Sequence, residues 1–158
     1  MELKVFDNVT EIVRDDMAST ITKGSKLSVA AACFSMYAYK ELKKQLESIE
    51  ECRFIFTSPT FVKEKAEKQK REFYIPRLSR ENSLYGTEFE IKLRNEMTQK
   101  AIAKECADWI RRKVQFKSNT TGENMGGFVT VSGKKERVAY MPINGFTTVD
   151  IGCERGNN

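Results

Sequence analysis

Hydrophobic residues recur along this chain with two different periods, and the alternation between them predicts the order of its elements. Residues 86 to 113 carry the strongest helical pattern. Phe89, Leu93, Met97, Ile102, Cys106, Trp109 and Ile110 recur at helical intervals among charged positions, which predicts one long amphipathic helix. A shorter pattern, Val9, Ile12, Val13, Met17 and Ile21, predicts a first helix capped by Asp7 or Asn8 and ended at Lys23-Gly24, with Glu11 at capping-box spacing from Asn8. Ser35 to Ser48 reads as another, with Tyr37, Leu42 and Leu46 facing inward.

Between the helices lie short apolar runs. Leu3 to Phe6 is a strand candidate. "KLSVAAACF", Lys26 to Phe34, is nearly all small and apolar, which predicts a strand covered on both faces. "CRFIFTS", Cys52 to Ser58, reads as a second buried strand, stopped by Pro59. Later strands are expected at Val114–Lys117, Phe128–Ser132, Arg137–Met141 and Thr147–Ile151, with turns at Gly122, Gly126-Gly127, Gly133 and Asn144-Gly145. Strand–helix alternation predicts an α/β domain, a mixed β-sheet flanked by helices. Residues 60 to 81 break the pattern with a lysine- and arginine-rich stretch, read as a solvated helix running into an irregular segment at Tyr74-Ile75-Pro76.

At 158 residues the chain fits a single domain, spanning residues 1–158 and read as a fragment of a longer polypeptide that tapers off in "CERGNN". No run approaches the ~20 apolar residues of a membrane span, and the acids of the first sixteen residues do not fit a secretory signal. A cytoplasmic protein without membrane contact is the expectation. The cysteines, Cys33, Cys52, Cys106 and Cys153, form no C-x-x-C pair and are read as buried reduced thiols.

The chain contains no histidine. That removes Ser–His and Cys–His nucleophile pairs and any phosphohistidine intermediate. "GENMGGF" is neither a dinucleotide fingerprint nor a phosphate-binding P-loop. Asp15 and Asp16 are adjacent on a helix and point apart, and Asp150 is read as a turn or salt-bridge residue. No catalytic residue, metal site or cofactor is therefore expected. The net charge of +5 permits phosphate contact without demanding it. Two basic clusters are the candidates for that contact: Arg111, Arg112 and Lys113 at the end of the long helix, and Lys134, Lys135 and Arg137 on a hairpin. Each has a structural explanation as well, in the helix dipole for the first and strand-edge protection for the second. Phe116 and Phe128 are read as core residues rather than base-stacking platforms.

The opening segment, Lys4 to Ser58, resembles the phospholipase D-like domain at the N-terminus of bacterial helicases of the SNF2 type. The resemblance rests on a helix, a strand ending in an aromatic (Phe34), a second helix, and a strand with arginine at its entry (Arg53). Active members of that superfamily carry H-x-K-x-x-x-x-D followed by G-S-x-N. Here "MGGFVTVSG" stands in the first region without the histidine or lysine. "NGFTTVDIG" resembles the second, with Gly145 matching the glycine and Phe146 in place of the serine. The resemblance implies a phospholipase D-like fold with a cleft at the strand ends, the chemistry lost and the phosphate grip retained. It further implies an accessory domain that holds a nucleic-acid backbone, DNA in the first instance, for an ATP-driven motor, and a possible homodimer. Two other readings stand beside it: a protein-interaction or dimerisation module with no nucleic-acid binding, and a divergent nuclease using unusual residues.

Overall fold

The computed structural model describes residues 2–57 and 88–155, the side chains of 88–97 excepted. The basic stretch 60–81 lies outside the described residues. In chain order the elements are α1 (Val13–Thr20), β1 (Lys26–Ala31), α2 (Met36–Glu41), α3 (Lys43–Ser48), β2 (Glu51–Phe56), α4 (Glu88–Lys113), β3 (Val114–Ser118), β4 (Phe128–Ser132) and β5 (Arg137–Tyr140). The strands form one open sheet in the order β3-β2-β1-β4-β5. β1, β2 and β3 run parallel, β4 pairs antiparallel with β1, and β5 pairs antiparallel with β4. The expected mixed α/β sheet flanked by helices is present.

Strand pairing decides which side chains share a face. Val114, Cys52, Leu27 and Val131 lie in register across four strands, and Phe116, Phe54, Val29, Val129 and Tyr140 form the next row. These residues meet the buried residues of all the described helices in one core: Met17 and Ile21 from α1 and its end, Ala38, Tyr39, Leu42 and Leu46 from α2 and α3, Cys106 and Trp109 from α4. Phe34 joins the layers, stacked on Phe146 at 5.8 Å and on Trp109 at 6.3 Å, and edge-on to Phe54 at 5.7 Å.

Over its described side chains the long helix follows its sequence pattern, while Phe89, Leu93 and Met97 lie outside them. Ile102, Cys106 and Trp109 are buried at spacings of four and three, while the charged residues between them face solvent. The Ser35–Ser48 helix divides at Leu42 (φ −113°, ψ 15°), and Tyr39, not Tyr37, is the tyrosine fully buried. Ser35 caps α2 by accepting from the Tyr37 N–H.

Three strand expectations are corrected. Leu3–Phe6 has no ladder partner among the described residues; Leu3 and Val5 are exposed and Phe6 packs beside Tyr140. Thr147–Ile151 is a run of turns. β1 stops at Ala31 and alternates, with Lys26 and Ser28 exposed, so it is not covered on both faces over its length.

The first helix starts at Val13, five residues after the expected cap. Asp7 instead closes a tight loop, its Oδ1 accepting from the N–H groups of Val9, Thr10 and Glu11. Asn8, in the left-handed region at φ 53°, reaches forward to accept from the Val13 N–H. The Thr10 hydroxyl and then these N–H donors hold the Asp7 carboxyl well below its ordinary pKa of 3.8. A depressed folded-state value makes this loop's contribution whole above about pH 4, and it fades as pH falls toward the depressed value. The unfolding midpoint of Asp7→Ala is therefore expected below that of the wild type at about pH 6, with the gap narrowing by about pH 2.5. A gap that is constant with pH would remove the carboxylate from this account.

Candidate nucleic-acid interface

The sequence expectation placed a cleft at the C-terminal ends of the parallel strands. That place is occupied by the chain's own segment. The N–H of Ala32 donates to Asn144 O (2.7 Å), that of Phe146 to Cys33 O (2.9 Å) and that of Ser35 to Phe146 O (2.9 Å). Phe34 and Phe146 form a parallel bridge. Segment 144–146 thus closes over the end of β1 through a single bridge and buries Phe146 in the core, at the position where the expected motif has a serine. Gly127 allows β4 to approach this segment, since a Cβ there would lie 1.5 Å from the Ile143 carbonyl oxygen. Asp150 accepts from the Thr147 hydroxyl in a turn, as expected of it.

Cys33 is the side chain at this end with reactive chemistry. It is exposed, against the expectation of a buried thiol; Cys52 and Cys106 are buried and Cys153 is half-buried. A Cβ on Gly145 would lie 2.6 Å from the Cys33 Sγ and 3.2 Å from an Asp150 carboxylate oxygen, so thiol and carboxylate share one corner. Partial burial first, and Asp150 second, push the Cys33 thiol up. Burial pushes Cys52 and Cys106 up to about 12. A protonated thiol is a poor nucleophile, and the negative charge of Asp150 disfavours the thiolate. In the folded protein a maleimide should label Cys33 first, faster as pH rises, with Cys52 and Cys106 reacting only on unfolding. Equal labelling of all four cysteines would contradict this packing. Among the described residues, no group of three cysteine, aspartate or glutamate side chains is placed to hold a metal ion.

The helix-end cluster is engaged in structure. Arg112 pairs with Glu47 at 2.6 Å and Arg111 with Asp108 at 3.0 Å, while Lys113 donates to the Ile49 carbonyl. Two of these contacts tie α4 to α3 and to the residue after it. The second cluster is different. Lys134, Lys135 and Arg137 are exposed on the β4–β5 hairpin and its exit strand and form no ion pair among the described residues.

Arg137 leads onto a larger surface. Every described helix packs against one face of the sheet, so the alternate strand positions form a second face that these helices leave open. Lys117, Arg53 and Lys26 descend across β3, β2 and β1, one pleat lower on each strand, and Arg137 lies in the same row as Lys26 on β5. All four are exposed. With Lys134 and Lys135 at the hairpin, they form a diagonal cationic track of about 20–25 Å by strand spacing and rise. Glu51 is the carboxylate among the strand positions of this face. It lies 3.3 Å from Arg53 and 3.8 Å from Lys26, and Glu50 lies 3.5 Å from Lys26. Exposed pairs of this kind are worth about 0–1 kcal/mol, so a phosphate can displace them.

Ser28, Thr130, Ser132 and Gln115 add hydrogen-bonding groups to the same face. Phe128 and Ile55 are half-buried upon it, each in register with Ala30. The expectation that Phe128 belongs to the core is corrected. Val129 and Val131 of "FVTVS" turn inward, so Phe128 turns out, a signal present in the alternation itself. Phe116, by contrast, lies on the core face and packs against the cluster as expected. Around Ser28, whose short side chain stands between Arg53 and Thr130 in its row, the face has a depression of about 260 Å³.

Among the described residues, fold and site define an open-sheet α/β arrangement with the helices gathered on one side and a cationic face on the other. No protein-family model matches the chain, and neither a curated protein nor a solved structure matches it either.

Proposed function

We infer that this domain is a non-catalytic nucleic-acid-binding module that holds the phosphate backbone along its open sheet face. The observation that carries this reading is the diagonal of Lys117, Arg53, Lys26 and Arg137, prolonged by Lys134 and Lys135, against the single strand carboxylate Glu51. Cations spaced along an extended surface suit a linear polyanion, which releases counterions as it binds. Hydroxyl and amide groups between them suit phosphate oxygens and sugars, which position a strand without reading its sequence. The missing histidine and the protonated state of Cys33 support binding without cleavage.

A role as a phospholipase D-like accessory domain of a SNF2-type helicase is a narrower proposal. Its support is the resemblance of the opening segment, and the mixed sheet is compatible with it. In this reading the contact surface is the sheet face with the β4–β5 hairpin, and Arg111, Arg112 and Lys113 at the end of α4 serve to hold that helix. Titration of a labelled DNA oligonucleotide at increasing salt tests the reading. Log affinity should fall linearly with log salt, with little dependence on sequence. An affinity indifferent to salt would end it, and cleavage of the probe by the purified protein would replace it with the nuclease reading.

A further inference from the structure

We propose that the bound strand is single and that one of its unpaired bases enters the depression at the centre of the open face. This rests on the backbone reading above and specifies its substrate. The depression lies on the cationic track and is lined by Arg53 and Lys117, by the polar Gln115 and Ser28, and by the apolar Ile55 and Phe128. It spans β3, β2, β1 and the start of β4, so a backbone following the cations passes over it.

The chemistry of the lining suits a base better than a second phosphate. Arg53 and Lys117 alone would serve a phosphate, but the lining also holds the apolar surface of Ile55 and Phe128, which a phosphate cannot use. A nucleobase has an apolar face and a polar edge. Its face fits against Phe128 and Ile55, and its edge meets Gln115, which both donates and accepts, and the Ser28 hydroxyl, which does the same. The Arg53 guanidinium can lie flat on the ring as well as pair with a phosphate. Stacking on a protein ring strengthens binding by about tenfold per base and tolerates any sequence. A duplex keeps its bases stacked and paired inside, so it meets the sheet with phosphates alone and leaves the depression unused. The open face thereby discriminates strand number through shape, with charge common to both.

Anisotropy measurements with the whole chain at one low salt concentration test the proposal. The probes are a labelled single DNA strand of about twelve nucleotides with no self-pairing, the duplex of the same sequence, and an abasic strand with the same number of phosphates. The single strand is expected to bind about tenfold more tightly than the abasic strand, in keeping with one stacked base, and more tightly than the duplex. In Phe128→Ser the ratio of intact to abasic affinity should fall toward one. Gln115→Ala alters an exposed side chain without threatening the fold and should lower the same ratio severalfold. If all three probes bind equally and with steep salt dependence, the base site is wrong and the backbone reading survives. If none of them binds, both fall.

Discussion

Reversing two charges on the open face, Arg53→Glu with Lys117→Glu, is expected to lower affinity for a short single-stranded oligonucleotide by about two to three orders of magnitude at low salt. Each substitution removes a phosphate contact and places a carboxylate beside the polyanion, so four units of charge change along one stretch of backbone. The slope of log affinity against log salt should shrink by about 1.4, since each neutralised phosphate of a single strand contributes about 0.7. The fold should survive. The Arg53 side chain is 69% exposed and its partner Glu51 forms only a surface pair, so the stability change should stay within about 1 kcal/mol. Arg111→Ala separates the two candidate surfaces. It removes a cation from the helix side, where Arg111 pairs with Asp108, and should leave affinity within about twofold of the wild type. A large loss from Arg111→Ala, with little from the double reversal, would return the interface to the helix end.

The largest expected loss of stability comes from Trp109→Ala. Trp109 is the only tryptophan in the chain and is 1% exposed. It lies 5.2 Å from Tyr39 and 6.3 Å from Phe34, ring centre to ring centre, and its indole N–H donates to the Leu46 carbonyl at 2.8 Å. Truncation removes the ring that joins α4, α2 and Phe34, at a cost of about 3–5 kcal/mol. The Leu46 carbonyl, left buried without its donor, adds about 1–3 kcal/mol. The sum is comparable with the whole stability of an ordinary domain, about 5–15 kcal/mol. Trp109→Phe keeps a ring and loses only the donor, so it should cost about 1–3 kcal/mol, chiefly the orphaned carbonyl. Urea unfolding followed by far-ultraviolet circular dichroism measures both, since the fluorescent reporter is the residue replaced. A loss below about 2 kcal/mol for the alanine variant would mean that α4 does not depend on this seat.

Other tyrosine contacts show the same coupling of burial to a hydrogen bond. The Tyr140 hydroxyl donates to Asp16 at 2.7 Å and lies 3.0 Å from the Thr20 hydroxyl, which fixes α1 to β5. Tyr39 donates to Glu47, the carboxylate that Arg112 also holds. Burial is the first cause that raises both phenols above their ordinary range, and both therefore remain hydrogen-bond donors throughout the physiological range. Arg112 is thereby part of a bracket between two helices. This accounts for its position without any ligand.

The sequence by itself determined the features whose physics is local. The stripe Ile102, Cys106, Trp109 repeats at helical spacing whatever lies beneath it, so α4 was legible before any partner was known. The alternation of "FVTVS" sorted inward valines from outward Phe128, Thr130 and Ser132, although the bulk of Phe128 drew the expectation toward the core. The absence of histidine closed off imidazole chemistry outright. Tertiary structure alone decided the rest. An extended run becomes a strand only where a ladder partner exists, and Leu3–Phe6 finds none among the described residues, while Thr147–Ile151 closes into turns through its own hydrogen bonds. A run of small residues such as "KLSVAAACF" is compatible with one covered face or two, and only pairing turned Lys26 and Ser28 outward. The cationic face depends on strand order. Arg53, Lys117 and Arg137 are far apart in the chain, and they share a surface because β3, β2, β1, β4 and β5 are hydrogen-bonded in that sequence, a long-range choice that no local pattern encodes.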